Sequence, residues 1–76
     1  MRFLHSRPPI RRMVLIRELL LDGKLFTSKT IARECECSER TVLRDIEFLR
    51  DSLRYEIEFD PTRNSYTCQK LPAPVL

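Results

Sequence analysis

A chain of 76 residues, 42% hydrophobic and 33% charged, holds one small domain with a modest core and leaves no room for a substrate domain beside a scaffold. Its 14 basic and 11 acidic residues give a net charge of +3. No apolar run approaches the length of a membrane span, so a membrane-embedded reading is excluded for these residues.

Charge is unevenly placed. Residues 1–33 carry eight Lys or Arg against two acids, and residues 34–60 carry four against nine. A basic front half suggests a polyanion partner, although a solvated mixed-charge surface would give the same count. The odd number of cysteines, three, fits a reducing compartment, and a cytoplasmic location is expected.

Residues 1–7 read as an N-terminal tail that lacks the long apolar stretch of a signal peptide. Pro8-Pro9 suits the first turn of a helix, where a missing N–H costs nothing. Ile10, Met13, Ile16 and Leu20 then recur at helical spacing, which predicts a core-facing stripe. Asp22-Gly23 ends that helix, with Gly23 available for a left-handed cap.

Thr27 is a plausible N-cap for a second helix from Ser28 to about Cys35, with Ile31, Ala32 and Cys35 on one face. A brief turn at Glu36-Cys37 follows. Ser38 then caps a third helix over residues 39–53, whose Val42, Ile46, Leu49 and Leu53 form the core face. After Leu53 the period switches to two: Tyr55, Ile57 and Phe59 alternate with acids, which predicts a half-buried strand. Pro61 to Asn64 is turn chemistry, and Ser65 to Gln69 is a second strand. The fold class expected is mainly α with a β-hairpin. It is a winged helix-turn-helix of three helices and a two-stranded wing over residues 8–70. Residues 71–76, punctuated by Pro72 and Pro74, read as a linker or cut end.

The third helix carries the sharpest signal. Arg40 and Arg44 stack four residues apart on the side opposite the core, a spacing that costs like charges roughly 0.2–0.5 kcal/mol in an isolated helix. Duplex DNA offsets that repulsion. A recognition helix reads the major groove with its N-terminal turns, and an arginine takes guanine O6 and N7 together. The alternative is that Glu47 neutralises Arg44 and the stack is plain surface.

The stretch "TSKTIARECECSERTVLRDIEFLRDSL" resembles the helix-turn-helix of DeoR-type winged-helix repressors, with their Ser-x-Arg-Thr-hydrophobic-x-Arg-Asp signature. The flanks "RPPIRRMVLIRELLLDGK" and "YEIEFDPTRNSYTCQK" resemble the N-terminal domains of WYL-domain transcription regulators. The likeness covers about residues 7–70. It implies a sequence-specific DNA-binding domain of a transcriptional regulator, followed by an effector-sensing domain that these residues do not include. By the same resemblance, Ser38, Arg40, Thr41 and Arg44 match DNA-facing positions, and Arg63 matches the wing. Cys35 and Cys37 fall at buried aliphatic positions. The chain departs from the pattern at Leu43, which would either contact a thymine methyl or pack at the core edge. It departs again at Glu36, where a turn glycine is common, and at Ser65, which replaces a wing glycine. Glu56, Glu58 and Asp60 would repel phosphate and are expected to face away from DNA.

Three cysteines and His5 do not make a zinc set, so core packing is the expectation for Cys35 and Cys37, and no metal or other cofactor is expected. Cys68 is open between core and surface. No catalytic constellation is present, and Asp45 is expected to orient an arginine or pair with a neighbouring helix. The expected partner is double-stranded DNA. Helix residues 39–53 would lie in the major groove. Thr27, Ser28 and Lys29 would sit on phosphate, with Arg63 on the backbone from the wing. Homodimerisation is expected in the full-length protein, with no membrane partner. The competing readings are a protein-interaction or dimerisation module that has lost DNA binding, and an accessory repressor domain of a larger enzyme such as a biotin ligase repressor.

Overall fold

The computed structural model describes residues 8–69. The expected tail at 1–7 and linker at 71–76 lie outside them. Three helices, α1 (Pro9–Asp22), α2 (Ser28–Glu34) and α3 (Glu39–Asp51), precede two antiparallel strands, β1 (Ile57–Asp60) and β2 (Ser65–Cys68). This is the predicted winged helix-turn-helix.

Local chemistry accounts for the breaks. Pro9 opens α1 at a position that needs no N–H. Gly23 closes it in the left-handed region (φ 67°), where its N–H meets Leu20 O and the Lys24 N–H meets Leu19 O. The turn between α2 and α3 repeats this pattern without glycine. Glu36 takes φ 54°, with its N–H on Arg33 O and that of Cys37 on Ala32 O. A side chain held there costs roughly 1–2 kcal/mol that glycine would avoid. In the hairpin, Asn64 supplies the positive φ (52°) that the turn composition predicts.

The core gathers Ile16, Phe26, Ile31, Val42, Ile46, Leu49, Tyr55 and Ile57, with Cys35 and Cys37 packed among them as small apolar groups. Each large side chain buried there contributes about 1.5–3 kcal/mol. Through this core the hairpin and all three helices are mutually braced.

Four expectations need correcting. Ile10 is 52% exposed. It lies about 120° around α1 from the buried Ile16 and belongs to the opposite face. The third helix stops at Asp51 rather than Leu53. Leu53 and Tyr55 donate their N–H groups back to Phe48 O and Leu49 O, and Arg54 turns the chain at φ 63°. The first strand begins at Ile57, after that turn, and its Phe59 is 44% exposed. Phe59 shares the inner side with Ile57, but the hairpin projects past the core there. It packs edge-on against Tyr66, its cross-strand partner, with ring centroids 5.2 Å apart. Ser65, where the turn looked less certain, is fully buried and strengthens the hairpin. Its hydroxyl accepts the Phe26 N–H at 2.8 Å and donates to Tyr66 O at 3.1 Å.

α1 and α3 are joined by a buried ion pair. Arg12 grips Asp45 with two parallel bonds, Nε–H to Oδ2 and Nη2–H to Oδ1, the latter at 3.2 Å. Both side chains are less than a tenth exposed. The bond to Asp45 raises the Arg12 pKa above its ordinary value against the opposing effect of burial. Truncating one member of such a pair strands a charge in the interior. Asp45→Ala is expected to cost about 3–5 kcal/mol, a large share of the stability of so small a domain, and Arg12→Met with Asp45→Leu far less. Urea unfolding of the wild type and both variants measures the difference.

Burial also raises the Cys37 thiol above its ordinary value of 9.0, against the pull of Arg12 and with a smaller push from Asp45. A folded-state pKa above the unfolded one means that this contribution to stability is complete below pH 9.0 and is lost as pH rises through the higher folded value. The urea midpoint should therefore fall as pH is raised past that point, and Cys37→Ala should make the fall shallower.

Candidate nucleic-acid interface

The site is built where α2, α3 and the hairpin meet. Both short helices begin on hydroxyl caps. Thr27 and Thr30 cap each other reciprocally, Thr27 N–H to Thr30 Oγ1 at 2.8 Å and Thr30 N–H to Thr27 Oγ1 at 3.3 Å. Such a cap is worth about 1 kcal/mol to a seven-residue helix. Ser38 Oγ accepts the Thr41 N–H at 3.1 Å and lies 2.9 Å from Thr41 Oγ1. Ser38 and Thr41 are both half-buried and committed to the start of α3.

Ser28 is turned inward. It is buried, and its hydroxyl donates to Glu39 Oε2 at 2.8 Å, tying the first turn of α2 to the first turn of α3. Its side chain therefore locks the two helices together and leaves only its backbone N–H at the head of α2. Lys29, next in sequence, is exposed beside it. A depression of about 280 Å³ runs between these groups and the hairpin residues Phe59, Asn64 and Tyr66.

α3 presents Arg40 and Arg44 on its outer face because Val42, Ile46 and Leu49 occupy the inner one. Among the described residues, ion pairs join Arg12 to Asp45 and Arg63 to Asp60, and neither Arg40 nor Arg44 takes part in one. Glu47 is thus not a partner for Arg44. Leu43 is 41% exposed, on the same outward side rather than sealed at the core edge. Phe48, one turn beyond Arg44, is exposed as well.

Arg63 sits apart from α2. It is exposed, with Nε 3.8 Å from Asp60 Oδ2, and it borders the hollow between the hairpin and the end of α1 in company with Lys24. Asn64, not Arg63, is the hairpin residue beside Thr27 and Lys29. In the sequence Asn64 shows only as turn chemistry and Lys24 only as part of a connector; tertiary placement alone brings them beside these residues. Glu56 and Glu58 line a separate shallow depression with Arg50 and Arg54. Arg50 Nε–H there donates to Ile57 O at 3.1 Å.

Among the described residues, no group of three His, Cys, Asp or Glu could hold a metal ion, and no helix is long and apolar enough to cross a membrane. A family model described as an HTH domain covers residues 11–66, from the third residue of α1 to the second residue of β2. No curated protein and no solved structure matches the chain. That family is a DNA-binding domain family and is not enzymatic. With most of its length matched, including all of α2 and α3 and all but the first two residues of α1, the chain belongs to the HTH domain family and carries the DNA-binding function of a helix-turn-helix domain.

Proposed function

We propose that these residues read double-stranded DNA by sequence, with α3 in the major groove. The observation that carries this reading is the pair of exposed arginines, Arg40 and Arg44, on the outer face of the first turns of α3 with no ion-pair partner among the described residues. In the proposal each takes a guanine edge, and Leu43 lies against a thymine methyl between them. The cap hydroxyls of Ser38 and Thr41 hold the helix end that enters the groove. Thr27, Lys29 and the backbone N–H of Ser28 hold phosphate at the head of α2, which fixes register. Arg63, with Lys24 near it, reaches the backbone from the wing. The domain acts, in this reading, as the DNA-binding part of a WYL-domain, DeoR-type transcription regulator in the cytoplasm, working as a homodimer. The continuous resemblance over residues 7–70 supports that placement.

Each neutralised phosphate contributes about −0.9 to the slope of log K against log salt, so a filter or anisotropy titration with duplex DNA is expected to give a slope of several units. A flat titration contradicts the proposal. Base reading and phosphate holding are separable. Arg40→Ala is expected to cost about 1–3 kcal/mol on the selected site and to blur one base position, whereas Lys29→Ala weakens all sequences alike. Binding selection on random duplexes, followed by affinities on selected and scrambled sites, checks both. Equal loss on both sites for Arg40→Ala removes it from base reading.

A further inference from the structure

α1 carries a second apolar stripe, apart from the one that faces the core. Its inner face is held by Arg12 and Ile16, with Met13, Leu19 and Leu20 packed at the edges of the core. On a helical wheel Ile10, Val14, Arg17 and Leu21 fall together within about 60°, turned roughly 100–160° away from Ile16. Ile10 is 52% and Leu21 54% exposed, and Val14 and Arg17 are half-buried. An apolar stripe left outside the core is a face that a partner can cover. The spacing of four, three and four residues is that of a seam between paired helices.

We propose that a second copy of this chain docks on this face, its α1 running antiparallel across a two-fold axis. The charges beside the seam select both the occupant and the direction. Arg11, Glu18 and Asp22 lie together on one flank, all exposed, and among the described residues none is in an ion pair. Glu18 and Asp22 are stacked four apart, a like-charge arrangement that an isolated helix does not favour. A two-fold contact is self-complementary, so whatever one copy offers it also receives. Centring the axis between Leu15 and Ile16 brings Ile10 against Leu21 of the second copy. The same operation sets Arg11 between Glu18 and Asp22 of the second copy, twice over. A parallel pairing would instead bring this charged flank against the other side of the partner's seam, where Met13 and Leu20 stand and offer no charge.

A contact along one helix of about 21 Å is short of the ~1,200 Å² that specific stable interfaces bury. The association is accordingly weak alone and grows with concentration, or when two copies are held close on one duplex. It does not rest on the base-reading proposal, and its test needs no DNA.

Sedimentation of the 76-residue chain over a concentration series is expected to show a rising average mass. Leu21→Glu, at an exposed position, should abolish the rise without lowering the melting temperature. Arg11→Glu should weaken it, and Arg11→Glu combined with Glu18→Arg and Asp22→Arg should restore it. In a Cys68→Ser background, Ile10→Cys together with Leu21→Cys should oxidise to a covalent dimer, whereas Ile10→Cys alone should not. A chain that stays monomeric at every concentration overturns the proposal, as does a dimer indifferent to Leu21→Glu or one cross-linked through Ile10→Cys alone. A monomer in which Leu21→Glu shifts the NMR signals of residues 70–76 also overturns it and assigns the face to the chain's own C-terminal segment.

Discussion

The rotation of α3 about its own axis rests on the Arg12–Asp45 pair. Asp45 follows Arg44 directly, so the two side chains leave the helix about 100° apart. When Asp45 is locked into α1, Arg44 and Arg40 are aimed outward. Val42, Ile46 and Leu49 favour the same orientation, but an apolar stripe tolerates some rolling. A bidentate bond between two planar groups does not. Buried ion pairs are poor stabilisers relative to well-packed apolar groups, because desolvation consumes most of the Coulombic gain. The value of this one lies in the single geometry it accepts.

That pair was only half legible. Asp45 could be read as a structural partner for some arginine, because it sits on the flank of an otherwise clear stripe. Arg12 gave no such sign. It stands beside Arg11, identical in type, and only one of the two is buried. Its partner lies 33 positions away, and no local pattern encodes that distance. The misreadings of Ile10 and Phe59 differ in origin. Ile10 lies too far around α1 from Ile16 to share its side, although the spacing suggests one stripe. Phe59 does share a side with Ile57, and periodicity does not tell how far the core extends along the hairpin. The caps were legible because their chemistry is local: Thr27, Ser38, Gly23 and Asn64 each act within four residues of themselves.

The candidate site divides along the same line. Arg40 and Arg44 could be found from sequence because exposure on α3 follows from where its apolar residues point. Ser28 could not be placed, since its direction depends on how α2 leans against α3. Only the bond to Glu39 reveals that it faces inward. Glu36 is an intermediate case. Its departure from glycine was visible, and the left-handed backbone there shows that the turn accepts conformational strain to keep α2 and α3 at their angle.

The anchoring of the hairpin has a consequence for the duplex as well. Phe26, in the connector between α1 and α2, exchanges backbone and side-chain bonds with Ser65 and Tyr66, and its ring stacks on Tyr66 with centroids 5.8 Å apart. The wing is thus pinned at its root to the segment that launches α2, and so to the body that carries α3. Such a body behaves as a calliper of fixed gap. A duplex that touches both jaws must itself supply any bend or change in groove width needed to meet them. The energy of that deformation depends on base steps lying between the contacts. In the proposed mode of binding, stiffness at Phe26 would in this way become sensitivity to bases that no side chain reaches.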